Sequence, residues 1–106
     1  MYEGSQVSLK MEKIISADAI FDEETHRCQV FRYDMEEDYI YLKLKEEDLT
    51  ALSLDARYLC YISAKNEQVY CTGVIKERFQ SEEGNMIIFK ISNGFYSVQE
   101  QDRTIN

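Results

Sequence analysis

The stretch RYLCYISAKNEQVYCTGVIKERF, residues 57–79, consists of two apolar runs that alternate residue by residue around the polar turn Ala64-Lys65-Asn66-Glu67. Period-two alternation on both sides of a short polar loop is the pattern of a β-hairpin. An even-numbered turn centred on Lys65-Asn66 sets Ile62 opposite Val69, Cys60 opposite Cys71 and Tyr58 opposite Gly73. A tyrosine facing a glycine is a favoured cross-strand pairing, because the missing side chain leaves a hole that the ring covers; the two residues support the register independently of the turn.

Further strands follow on either side. Val7, Leu9 and Met11 alternate with Ser8, Lys10 and Glu12, giving a half-buried strand over Gln6 to Lys13. Ile14 to Phe21 continues as a second extended run, bent near Ile15-Ser16, and Asp22-Glu23-Glu24 marks a turn. His26 to Tyr33 forms a third strand, closed by the acidic turn Asp34 to Asp38. Tyr39 to Leu44 alternates most cleanly, with Ile40, Leu42 and Leu44 inward and Tyr39, Tyr41 and Lys43 outward.

Glu46 to Ala56 is the one helical candidate, expected as one or two turns acting as a plug or crossover: its acidic start suits a helix N-terminus, and Leu49 and Leu52 share a face. Beyond the central hairpin, Glu77 falls on the face that carries Val69, Cys71 and Ile75, which signals a bulge or a strand leaving the core. Ser81 to Asn85 is a turn, Met86 to Ile91 a strand apolar on both sides, Ser92-Asn93-Gly94 another turn, and Phe95 to Val98 the last strand. The expected domain spans residues 1–98, with 99–106 a frayed polar tail.

The expected fold is all-β: a small antiparallel closed or split barrel of six to eight short strands with one short helix, a two-sheet sandwich being the alternative. The interior is expected to be shared by Ile40, Leu42, Cys60, Ile62, Val69 and Phe89. A chain of 106 residues buries roughly 65% of its unfolded surface, enough for one domain without a metal or disulfide staple.

Net charge narrows the partners. At −8, an acidic surface repels phosphate backbones and anionic lipid, so neither nucleic acid nor membrane is expected. The N-terminus has no basic segment and no apolar core, and no apolar run reaches membrane-spanning length, so a cytoplasmic location is expected. Three cysteines without metal-ligand spacing suit buried free thiols. For Cys60 and Cys71 a two-residue loop gives a hydrogen-bonded pair, poorly shaped for a disulfide, and a four-residue loop gives the closer non-hydrogen-bonded pair.

No convergent catalytic set is visible, so a non-enzymatic protein without cofactor or metal is expected. The one histidine, His26, is expected as a surface or capping residue. There is no nucleophile elbow and no glycine-rich phosphate loop. The acidic clusters at 22–24, 36–38, 46–48 and 82–83 are expected as solvated turn charges that discourage edge pairing. The outward tyrosines Tyr39, Tyr41, Tyr61 and Tyr70, flanked by Leu59 and Val74, are the candidate contact residues, because tyrosine offers rigid area with a polar tip. Lys43, Lys45, Lys76 and Arg78 would form their polar rim.

Glu3-Gly4-Ser5-Gln6-Val7-Ser8-Leu9 as a glycine-led opening strand, Ser53-Leu54-Asp55-Ala56-Arg57-Tyr58 leading into the hairpin, and Tyr70-Cys71-Thr72-Gly73-Val74-Ile75 as its return occur in an order that resembles the N-terminal split-barrel domain of flagellar-brake proteins, which precedes their cyclic-di-GMP-binding PilZ domain. The resemblance implies a regulatory barrel that makes protein contacts. In that family arginines of the following domain hold the dinucleotide. Arg27 and Arg32, the close arginine pair here, lack that spacing, so dinucleotide binding is not carried over. The expected role is a regulatory or protein-interaction module, self-associating or docking a partner. A flavin- or nucleotide-binding barrel is the alternative, since split barrels also hold such ligands at dimer interfaces.

Overall fold

The computed structural model describes residues 2–16, 20–45 and 48–98; the tail at 99–106 and the helical candidate's first two residues lie outside the described residues. Six antiparallel strands, β1 (Gln6–Ile14), β2 (Thr25–Asp34), β3 (Tyr39–Leu44), β4 (Ala56–Ser63), β5 (Gln68–Ser81) and β6 (Gly84–Ser97), close into a barrel in the order β1-β2-β3-β6-β5-β4. Closure comes from the non-local ladders β1·β4 and β3·β6, so that each strand pairs with a neighbour on both sides.

The central hairpin has the register its alternation requires: Tyr58 pairs with Gly73, Cys60 with Cys71, Tyr61 with Tyr70 and Ile62 with Val69. The Ala64 amide donates to the Glu67 carbonyl at 2.9 Å. By the period of an antiparallel ladder, this bond puts Cys60 and Cys71 in the wider, hydrogen-bonded class of pair. All three cysteines are buried, and none is in a disulfide bond. The hole over Gly73 is filled from β6 rather than by Tyr58 alone: a β-carbon there would stand 2.9 Å from the Phe89 ring and 2.1 Å from the Lys90 carbonyl oxygen.

The interior contains every expected core residue, Ile40, Leu42, Leu44, Cys60, Ile62, Val69 and Phe89, joined by Leu9, Cys28, Tyr58 and Ile87. Bulges change the parity of the strands. Val30 pairs with Leu42 but Arg32 pairs with Tyr41, so the extra residue, Phe31, turns Arg32 outward and Tyr33 inward. The same shift between Ile75 and Glu77 accounts for the break in alternation seen in the sequence. At the barrel's end Tyr33 meets Phe95 edge-on at 5.4 Å, and Tyr2 lies 5.3 Å from Phe95.

Several expectations are corrected. Among the described residues of the run that follows Ile14, none lies in a strand: the Ile15 amide donates to the Asp55 carbonyl at 2.8 Å, and Ile20 and Phe21 are outside any strand; residues 17–19 lie outside the described residues. The short helical candidate is, among the described residues, one 3₁₀ turn, Leu49–Ala51, within the one or two turns expected and capped by the Asp48 carboxylate on the Thr50 amide. Two leucines three residues apart cannot sustain a helix against the pull of the adjoining strands. Residues 92–94 are not a turn either. They lie within β6, where register shifts against β5 absorb the extra residues.

Candidate functional site

Cross-strand register arranges the barrel's outer wall into rows. One runs Ser8, Tyr61, Tyr70, Tyr96; the next Lys10, Leu59, Thr72, Asn93; a third Lys13, Arg57, Val74, Lys90, Tyr39. Alternation puts these residues outside because their strand neighbours Tyr58, Cys60, Cys71 and Gly73 point inward.

The first row is an aromatic ladder. Tyr61 and Tyr70 have ring centroids 5.7 Å apart, and Tyr70 and Tyr96 5.2 Å, both tilted, within the range of favourable aromatic pairing. Tyr61 and Tyr96 remain 42% and 48% exposed. The ladder forms one side of a groove of about 820 Å³ whose other lining includes Arg57, Leu59, Thr72, Asn93 and Glu12. Arg57 stands out electrostatically: its Nε is buried and has no hydrogen-bond partner among the described residues.

Of the four tyrosines singled out in the sequence, the structure brings Tyr61 and Tyr70 together and places Tyr39 and Tyr41 elsewhere on the wall. Those two meet edge-on at 6.5 Å and are covered by cations. The Arg32 guanidinium sits 4.4 Å over the Tyr41 ring, and Lys76 and Lys90 stand 5.1 Å from the Tyr39 centroid. Lys76 also donates to the Tyr39 hydroxyl at 2.7 Å, the first cause of its raised pKa. Tyr96 and Arg57 were missed. The parity of Arg57 with Leu59 and Tyr61 was readable; the adjacency of Tyr96 was not, because it depends on the irregular β5·β6 register.

Charge is partitioned. The six strands carry nine lysines and arginines against three carboxylates, Glu12, Asp34 and Glu77. The net charge of −8 therefore arises outside the strands. At physiological salt the screening length is about 8 Å, shorter than the 27 Å least extent of the molecule, so a ligand at the wall experiences mainly the charges nearest to it.

A second groove, of about 600 Å³, lies between the β1–β2 connection and the 3₁₀ turn. Its polar groups already serve the fold. His26 is not a surface residue: it points inward, is 3% exposed, and its Nε2 lies 2.6 Å from Asp22 Oδ2. Burial alone would raise the Asp22 carboxyl; hydrogen bonds from the Glu24 amide and His26 outweigh it and hold the pKa below the ordinary value. Asp22 is thus a structural partner and not a solvated turn charge. Arg78 leaves the expected rim as well, donating from Nη1 to the Leu49 carbonyl at 3.2 Å and to the Leu52 carbonyl, so that it pins the 3₁₀ turn. Lys45 donates to the Gln6 side chain, and Lys43 remains exposed.

Among the described residues, no helix is long and apolar enough to cross a membrane, and no group of three or more His, Cys, Asp or Glu is placed to hold a metal ion. Comparison of the chain with protein-family models, with curated proteins and with solved structures gives no match.

Proposed function

We propose that this barrel is a non-enzymatic regulatory module that docks a protein partner on the outer face of β4, β5 and β6. The observation that carries this reading is the exposed Tyr61–Tyr70–Tyr96 ladder, continuous across three strands and set along a groove. Aromatic area of this kind is held rigid by the sheet, so little side-chain entropy is lost on contact. The wall around it is poor in carboxylates, and the resemblance in element order to the regulatory split barrels of flagellar-brake proteins supports the same role.

The test uses the whole chain. Peptides enriched from a displayed random library should carry aromatic or large aliphatic residues, and their affinity should fall at least about tenfold, ~1.4 kcal/mol, when Tyr61→Ala and Tyr70→Ala are combined. Sedimentation of both forms checks a second copy as the partner. No enrichment, together with a monomer unchanged by the substitutions, would refute the docking role. Colour, or thermal stabilisation by a flavin or nucleotide panel without peptide binding, would favour a small-molecule barrel instead.

A further inference from the structure

The tyrosine ladder occupies one end of the groove and Arg57 the other. On β4, Arg57 and Tyr61 are four residues apart on the same face, about 13 Å at the rise of an antiparallel strand. Between them lie Leu59 and, on the neighbouring strands, Thr72 and Asn93. The Arg57 side chain is half-buried, and its Nε is buried with no hydrogen-bond partner among the described residues. A guanidinium N–H buried without an acceptor is a standing cost, and rotation of the side chain onto a carboxylate relieves it, since the planar fork donates to both oxygens at once.

We infer that Arg57 anchors a carboxylate on an extended peptide segment of the partner, whose apolar side chain four residues further on lies against the Tyr61–Tyr70–Tyr96 ladder. This inference rests on the docking role proposed above and adds the chemistry and polarity of what is docked. An extended peptide suits the span: side chains at alternate positions project to one side, so an acidic residue, an apolar one over Leu59 and an aromatic one over the tyrosines fall at successive same-face positions. Its intervening amides and carbonyls face groups able to answer them, the Thr72 hydroxyl and the Asn93 amide. The acidic net charge of the chain does not bar such a segment locally, because Lys10, Lys13 and Lys90 stand in the same cross-strand rows as Leu59, Thr72 and Arg57 of the groove. Glu12 borders the Arg57 end and sets a limit on how many negative charges the segment carries there.

The test is a double-mutant cycle read by amide chemical shifts and titration, with two capped probes: acetyl-Asp-Ser-Val-Ser-Phe-amide and the same peptide with Asn in place of Asp. The Asp peptide should shift amides on the outer face of β4, β5 and β6, and bind about ten- to a hundredfold tighter than the Asn peptide, the range of a charge-assisted hydrogen bond. In Arg57→Gln the two peptides should bind alike, Arg57→Lys should restore part of the difference, and Glu12→Gln should tighten the Asp peptide. Equal binding of the two peptides to the unaltered chain, with shifts on the tyrosine ladder, would overturn the role of Arg57 while leaving the docking face intact. No shift with either peptide at millimolar concentration, or shifts with adenosine monophosphate alone, would overturn the inference, and the latter would also count against a protein partner.

Discussion

Gly73→Ala tests the barrel at the point where three strands converge. The backbone of Gly73 does not lie at positive φ, since the only positive-φ glycines among the described residues are Gly4 and Gly84. On conformational grounds alone the substitution should stabilise the protein by about 0.4–1 kcal/mol through the unfolded chain. The structure reverses the sign. The added carbon would stand 2.1 Å from the Lys90 carbonyl oxygen, whereas carbon–oxygen contacts between strands settle at about 3.3–3.6 Å, so β6 must retreat by more than an ångström. That retreat stretches hydrogen bonds of the Gly73–Ile91 and Val74–Lys90 pairs. Two weakened bonds at about 1 kcal/mol each, with overpacking of about 1–3 kcal/mol and the unfolded-state gain subtracted, give a net loss of roughly 2–4 kcal/mol. At a urea m-value of about 1.5 kcal/mol per molar the unfolding midpoint should fall by roughly 1.5–2.5 M. Gly4→Ala is the contrasting control: φ is +86° and nothing lies within 4 Å, so only the left-handed penalty of about 1–2 kcal/mol applies. A Gly73→Ala midpoint at or above that of the unaltered chain would refute the close approach of β6.

Other outcomes follow from the polar contacts. Asp22→Asn should destabilise the fold at neutral pH by about 1–2 kcal/mol through loss of the charged hydrogen bond to His26. Because the folded pKa of Asp22 lies below its unfolded value, that contribution is present above the unfolded pKa and lost as pH falls through the folded one. The stability gap between the two forms should therefore shrink on acidification; a gap constant from neutral pH to about pH 2 would disprove the pairing. The thiols should resist alkylation until the chain unfolds: the Cys71 hydrogen bond, and then burial, push the Cys60 pKa well above the ordinary thiol value. Rapid native-state labelling of Cys60 would contradict its placement. Arg78→Met should leave the barrel's amide protection intact while raising exchange around the 3₁₀ turn, at a cost of about 1–2 kcal/mol. Unchanged exchange at Leu52 would mean that Arg78 does not hold the turn.

Much of the barrel was legible where strands meet through short turns. The hairpin register followed from alternation and from Tyr58 facing Gly73, and the bulge near Glu77 from one residue out of phase. Some signals were present but unread. His26, Cys28 and Val30 share the parity of one strand face, which already places the histidine inward, and Arg57 shares the face of Leu59 and Tyr61. The short helical turn was legible in acidic residues before a leucine pair, but its 3₁₀ form was not, because the adjoining strands set its length.

Local alternation and turn chemistry specify the central hairpin, its register and most of the core, because side-chain direction in a strand alternates with every residue and turn chemistry sets the register of neighbours. The tertiary structure alone decided which strands close the barrel, that Tyr96 extends the pair Tyr61–Tyr70, that Tyr39 and Tyr41 lie apart under cations, and that positive charge gathers on the wall of an acidic chain. These are contacts between residues far apart in sequence, set by closure of the sheet and by bulges that shift parity, and no local pattern encodes them.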